Sequence, residues 1–277
     1  MDVAGAIRAA TEKLDATSET PRLDAEHLMA HALGVTRSEM LVRHMDDSAP
    51  PEFFDLVDRR LGHEPLAYIL GHQDFYGRPF LVTPDVLIPR GDSEVLVERA
   101  IAAMPQTQRI LDCGTGSGAL LVTCLLEMPG AAGIGVDISQ AALSVAEANA
   151  RGHGLSEERA RFLRCDWNEP GWSADLGRFD LILANPPYVE TGADLAPDVW
   201  DFEPSQALFA GPDGLDVYRV LVPQLPTLLA PGGVACVEIG ASQADAVTSI
   251  SRSAGLDAAV HRDLAGRTRV VEMSTSA

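Results

Sequence analysis

The sequence predicts an α/β fold, a mainly parallel, doubly wound sheet preceded by a smaller helical domain. Three observations carry this. Short apolar runs alternate with Ala/Leu-rich helical stretches from Arg109 onward, the pattern of repeated βα units. A glycine-rich turn follows the first of these runs and opens a helix. Before residue 75 the apolar positions fall only at helical spacing.

The first domain is expected over 1–74. Val3, Ile7, Ala10 and Leu14 share one helical face, Ala25, Leu28, Met29 and Ala32 a second, and Phe53, Leu56, Val57 and Leu61 a third. Thr20-Pro21 has the form of a helix N-cap followed by a first-turn proline, Gly34 that of a stop, and Pro50-Pro51 marks a break. Residues 75–90, FYGRPFLVTPDVLIPR, mix aromatic and β-branched residues with Gly and Pro and predict a hairpin or extended linker. The second domain is expected over 91–277. In it RILDC (109–113), GIGVD (133–137), RFLRC (161–165), FDLILA (179–184), GVACVEI (233–239) and TRVVEM (268–273) suit strands. Helices are expected over 117–128 and 139–151, the latter with Ile138, Ala142, Val145, Ala146 and Asn149 on one face. Ligands of such sheets bind beyond the carboxyl ends of the strands.

A chain of 277 residues with 46% hydrophobic and 22% charged residues is ordinary globular material and has room for two domains. No apolar run is long enough for a membrane span, and the first residues carry no basic-then-apolar leader pattern. The formal charge of −19 repels a phosphate backbone, and no Lys/Arg run exceeds two residues. Direct nucleic-acid binding is therefore not expected. Cys113, Cys124, Cys165 and Cys236 are widely spaced, without a Cys-x-x-Cys, and read as free thiols of a reducing cytoplasm. His27 and His31 have a metal-compatible spacing, but the Glu of a His-Glu-x-x-His site is absent, so no metal is expected.

Four signals carry chemistry. Gly114, Thr115, Gly116, Ser117 and Gly118 form the turn after the first strand, where glycines let a ligand approach the backbone. Gly114, Gly116 and Ala119 also satisfy the looser dinucleotide pattern. Asp137 ends the next strand, 19 residues after Gly118, where an acid accepts hydrogen bonds from ribose hydroxyls of any adenosine-bearing cofactor. Capping the next helix is its other reading. Asp166 and Trp167 follow the third strand and could border a purine, the acid accepting from the amino group and the ring packing on the face. A plain core role is the other reading of Trp167. Asn185-Pro186-Pro187-Tyr188 follows the fourth strand. Its prolines stop the ladder and stiffen the chain. The Asn185 and Pro186 carbonyls then form a rigid pair of acceptors, and Tyr188 a flat surface, suited to a planar –NH2 group.

Asp112 through Gly118, Asp137 and Asn185 to Tyr188 together resemble the class I S-adenosylmethionine-dependent methyltransferases with an Asn-Pro-Pro-Tyr signature. The chain is also similar to the HemK/PrmC family in PRLDAEHLMAHALG (21–34), EPLAYILGHQDFYGRPFLVTPDVLIPR (64–90), FEP (202–204), PGG (231–233), EIG (238–240) and DLAGRTR (263–269). The resemblance implies a small N-terminal helical domain that contacts a protein substrate, a β-hairpin linker and a seven-stranded Rossmann-like methyltransferase domain. It implies a cytoplasmic, monomeric enzyme that methylates the side-chain amide nitrogen of the glutamine in the Gly-Gly-Gln loop of class I peptide chain release factors. Gly114 to Gly118 would cradle S-adenosylmethionine, later S-adenosylhomocysteine, with Asp137 on the ribose and Asp166 and Trp167 beside the adenine. Asn185, Pro186, Pro187 and Tyr188 would hold the glutamine. The chain departs from the family at Gly91-Asp92-Ser93-Glu94, at Trp200-Asp201 and at Cys113. The first two bear on which protein is the substrate. Arg90 is open to a ligand role or a structural one. Glutamine methylation of a ribosomal protein, amino methylation of a nucleic-acid base and a binding module without turnover are the competing functions. A nicotinamide oxidoreductase would leave Asn185 to Tyr188 unexplained.

Overall fold

The computed structural model describes residues 1–275, so the last two residues of the 91–277 range lie outside it. The chain divides into two compact units, Met1–His72 with Leu195–Phe202, and Gln73–Asp194 with the stretch from Glu203 onward.

The first unit is helical, with α1 (Val3–Leu14), α2 (Pro21–Leu33), α3 (Arg37–Arg43), α4 (Glu52–Leu61) and α5 (Leu66–Leu70). Val3, Ile7, Leu14, Leu28, Met29 and Phe53 are fully buried together, the faces the sequence periodicity predicts. Asp2 caps α1, its carboxylate accepting from Gly5 N–H at 2.8 Å. Gly34 ends α2 in the left-handed conformation. Thr20 differs from expectation. Its hydroxyl does not cap α2 but donates to Asp24 at 2.9 Å, as does Ser18 at 2.8 Å. Asp24 is buried against Arg60, 2.8 Å away, and a buried carboxylate claims nearby donors more strongly than the helix end does.

The second unit opens with the hairpin β1 (His72–Phe75) and β2 (Arg78–Leu81). Tyr76 and Gly77 both have positive φ, 52° and 69°, as a two-residue hairpin turn requires. An extended stretch leads to α6 (Glu94–Ala103). Then come β3 (Arg109–Cys113), α7 (Ala119–Glu127), β4 (Ala132–Asp137), α8 (Gln140–Gly152), β5 (Ala160–Arg164) and β6 (Phe179–Ala184). Past α9 (Pro197–Phe202), which belongs to the first unit, come α10 (Asp216–Leu221) and α11 (Leu225–Leu228), then β7 (Leu229–Glu238), α12 (Ala244–Ser253), β8 (Leu256–Arg262) and β9 (Thr268–Thr275).

The seven-stranded sheet runs β5-β4-β3-β6-β7-β9-β8. Its first five strands are parallel, and β9 runs antiparallel to both its neighbours, β7 and β8. Leu181 and Leu183 of β6 are buried in one core, Ile182 and Ala184 in another. Strands covered on both faces read as unbroken apolar runs, which is why β3 and β6 are visible in the sequence. β8 escaped prediction because it lies at the sheet edge with only Leu256 fully buried, so LDAAVHR lacks both an apolar run and a clean alternation.

Candidate active site

The parallel register places the site. Cys113 pairs with Val136 on one side and Ala184 on the other, Asp137 pairs with Arg164, and Ala184 pairs with Val237. The residues that follow therefore line the carboxyl edge in the order Asp166, Asp137, Gly114, Asn185, Glu238. Chain direction across the sheet reverses between β3 and β6, so Gly114 and Asn185 flank the switch point at which such sheets take ligands. A cavity of about 430 Å³ opens there.

One half of it is built from backbone. The turn Gly114–Gly118 leaves β3 with Gly116 at φ +53° and no atom within 4 Å of where a Cβ would stand, so its bare backbone faces open space. Gly118, at φ +80°, starts α7, and a Cβ there would stand 3.1 Å from the Ala146 Cβ of α8. Asp137 locks the turn. Its Oδ2 accepts from Gly116 N–H at 3.0 Å and its Oδ1 from Ser139 N–H at 2.9 Å. Asp112, fully buried beneath, accepts from the Thr115 hydroxyl at 2.6 Å, while its Oδ1 has no partner. Burial pushes the Asp112 carboxyl up to about 7, against the pull of the Thr115 hydrogen bond. Asp166 Oδ1 accepts from Asn168 N–H and Nδ2 at 2.8 and 2.7 Å. The Trp167 ring lies 3.2 Å from the Cβ direction of Gly114, half-buried over the turn.

The other half is built from side chains distant in sequence. Asn185 Nδ2 donates to the Ser93 hydroxyl at 3.3 Å, and the Tyr188 hydroxyl donates to Glu238 Oε1 at 3.4 Å. Gln243 Nε2 donates to the Tyr188 carbonyl at 3.0 Å. Burial and the neighbouring Glu238 push the Tyr188 phenol up to about 12. Residues between Asp85 and Pro89 and the stretch Pro204 to Phe209 supply further wall. Buried Glu203 joins these two walls, accepting from Ile88 N–H at 3.4 Å and pairing with Arg90. Arg90 thus stands in an ion pair.

Of the sequence-derived site residues, Gly114, Thr115, Gly116, Ser117, Asp137, Asp166, Trp167, Asn185 and Pro187 line the cavity. Gly118, Pro186 and Tyr188 do not line it. Ser93, Glu203, Glu238 and Asn149 carry structure around the site in roles that no local sequence pattern signals. Asn149 Nδ2 donates to Ser117 O at 2.8 Å and Leu81 O at 3.0 Å, and its Oδ1 accepts from Leu81 N–H at 2.7 Å. It joins β2 to the glycine turn. Asp92, at one departure from the family pattern, pairs with Arg267 and Arg269 at 3.1 and 2.5 Å. Cys113 is buried in the core, and all four cysteines are free.

Residues 5–71 match the PrmC N-terminal domain, and 106–265 match a methyltransferase domain. Over 260 residues the chain is 43% identical to a release factor glutamine methyltransferase of Moorella thermoacetica, covering 91% of this chain and 90% of that protein. Over 279 residues it is 41% identical to one of Cereibacter sphaeroides, covering 98% of each. In structure it is similar to a ribosomal protein L11 methylase of Lactobacillus delbrueckii subsp. bulgaricus, with a TM-score of 0.50 and 21% identity over 74% of this chain and 89% of that one. A methyltransferase from Pyrococcus furiosus gives 0.51 and 15%, over 78% and 95%. These two likenesses are of fold. The sequence matches go further: the chain belongs to the release factor glutamine methyltransferase family.

Proposed function

We propose that this enzyme transfers a methyl group from S-adenosylmethionine to the side-chain amide nitrogen of the glutamine in the Gly-Gly-Gln loop of a class I peptide chain release factor, in the cytoplasm, and so modulates translation termination. The observation that carries this is the placement of Asn185, an amide acceptor at the switch point of the sheet, beside the bare glycine turn. The family's named activity supports the same reading.

The residues present fit the cofactor. Gly116 leaves the space of a side chain vacant, Asp137 holds the turn and retains lone pairs for two ribose hydroxyls, and Trp167 with Asp166 offers a face and an acceptor for a purine. When bound, S-adenosylmethionine supplies a strongly electrophilic methyl group on a positively charged sulfur. The amide nitrogen is a poor nucleophile, because its lone pair is delocalised into the carbonyl. The protein's task is alignment and electrostatics. Asn185 Oδ1 and the Pro186 carbonyl accept the two amide hydrogens and fix the direction of the nitrogen, with Pro187 and Tyr188 holding the frame. These bonds strengthen as the nitrogen becomes tetrahedral and positive, so they stabilise the transition state more than the ground state. Fixing a near-attack geometry contributes about 7–11 kcal/mol in favourable cases. The N-methylated amide cation is acidic enough to lose its proton to solvent, so no dedicated base is required.

The test offers purified release factor, ribosomal protein and duplex DNA to the enzyme with labelled methyl donor. Label on the glutamine of the release factor, located by mass spectrometry as a gain of one methyl group, is expected. Label on ribosomal protein or DNA alone would overturn the assignment.

A further inference from the structure

We infer that Ser93 and Glu238 set the polarity of the Asn185 carboxamide, so that its oxygen and not its NH2 faces the substrate. They are positioning residues for the reaction proposed above, and the inference rests on that reading. An Asn side chain is nearly symmetric in shape, and only hydrogen bonding decides which way round it sits. An Asn185 turned the wrong way would present donors to a substrate NH2, donor against donor.

The sheet brings the three residues together. Ala184 of β6 pairs with Val237 of β7, so Asn185 and Glu238 are the next residues on adjacent parallel strands. Ser93, buried at the start of α6, stands against both. Its hydroxyl oxygen receives Asn185 Nδ2–H at 3.3 Å, and its hydroxyl lies beside the Glu238 carboxyl, which it helps to hold down. A hydroxyl has one proton. An ionised carboxylate only accepts, so it takes that proton, and the serine oxygen is left as an acceptor toward Asn185. The acceptor demands the NH2 edge, which leaves Oδ1 for the substrate.

Glu238 is 1% exposed, and its Oε2 has no partner. The groups facing it are the Tyr188 hydroxyl, Arg269 of β9 and Asp92 before α6, while the Tyr218 hydroxyl of α10 donates to its backbone carbonyl at 2.9 Å. Burial pushes its carboxyl up to about 6, with Ser93, Arg269 and Tyr188 holding it down and Asp92 pushing it up. Below that pH Glu238 is protonated, the serine proton is no longer claimed, and Asn185 is free to turn.

Two measurements test this. The first is turnover on purified release factor between pH 5 and 8.5, with cofactor affinity measured by calorimetry. In the wild type kcat is expected to fall about tenfold below pH 6 while cofactor Kd changes less than threefold. Glu238→Gln, which keeps shape and removes the charge, is expected to be about tenfold slower at pH 8 and flat with pH. Ser93→Ala is expected to lose a similar factor, and Ser93→Thr, which keeps a hydroxyl, to recover most of it. A flat wild-type profile, or Ser93→Ala at wild-type kcat, overturns the inference. The second needs no substrate. The Asn185 side-chain amide signals, assigned by their disappearance in Asn185→Asp, are expected to titrate with a midpoint near pH 6 in the wild type and not in Glu238→Gln. Signals that ignore pH overturn the inference. Absence of methyl transfer by the wild type overturns instead the proposed function, and the amide titration still decides the polarity.

Discussion

The two halves of the site are made by different means. The glycine turn and Asp137 are held by backbone amides: Gly116 and Ser139 donate to one carboxylate, and the left-handed φ angles belong to residues within five positions of each other. The Asn185 half is held by side chains. Ser93 reaches Asn185 across 92 positions of sequence, and Glu238 reaches Tyr188 across 50. A surface of backbone donors and glycines suits a cofactor whose identity does not change. A surface of oriented lone pairs suits a reacting amide, where a rotation of one carboxamide separates a productive contact from a repulsive one.

The largest predicted effect falls on the second half. Asn185→Ala is expected to lower kcat on the order of 10²-fold or more, as loss of a transition-state acceptor does elsewhere. Cofactor affinity should move far less. An unchanged turnover number would show that the two halves do not divide the work as described. The reciprocal substitution, Asp137→Ala, is expected to weaken S-adenosylmethionine binding by roughly 10- to 100-fold, the scale of one or two charge-assisted hydrogen bonds. Wild-type affinity by calorimetry would remove the ribose role.

The same contrast explains what the sequence discloses. Gly114 to Gly118 and Asp137 are legible because glycine spacing and a strand-end acid are local patterns. β3 and β6 are legible because both faces are covered and their apolar runs are unbroken. Asn185 is legible through its two prolines. Ser93 is not, because a serine at the start of a helix reads as a cap, and its partner is set by the sheet register. Glu238 reads only as a polar strand end, since nothing local says it is 1% exposed. Thr20 shows the converse: its local pattern is that of a cap, and the buried Asp24–Arg60 pair outweighs it. Asn149 lies on the expected buried face of α8, but its hydrogen bonds to β2 depend on a hairpin 68 positions away.

Asn149 tests whether the backbone half needs a side-chain brace. Asn149→Leu keeps the volume and removes all three hydrogen bonds, stranding Ser117 O and both polar groups of Leu81. The expected cost is about 1–3 kcal/mol of stability, chiefly from the buried Ser117 carbonyl left without a partner. Cofactor affinity should fall a few-fold, because the carbonyl released belongs to the glycine turn. Loss of stability at full affinity would show that Asp137 alone defines the turn.

The smallest effect concerns Asp112, the one buried carboxyl beneath the backbone half. Its folded-state value of about 7 lies above the ordinary 3.8, because burial penalises the charged form more than Thr115 rewards it. The folded state therefore holds a proton that the unfolded chain releases between these two values. By linkage, Asp112 lowers stability progressively as pH rises from about 4 to about 7, and the loss is complete above that. Asp112→Asn keeps an acceptor for the Thr115 hydroxyl and has no proton to lose. Subtracting the Tm of the wild type from that of the variant cancels the repulsion of the other acids in a chain of charge −19. The difference should grow by a few degrees between pH 5 and pH 8, since about 1 kcal/mol moves Tm by roughly 2–4 °C in a domain of this size. A difference that stays constant with pH would mean that Asp112 is already ionised below pH 5. The Leu121 N–H near the start of α7, which already pulls this carboxyl down, would then be the donor that keeps it charged.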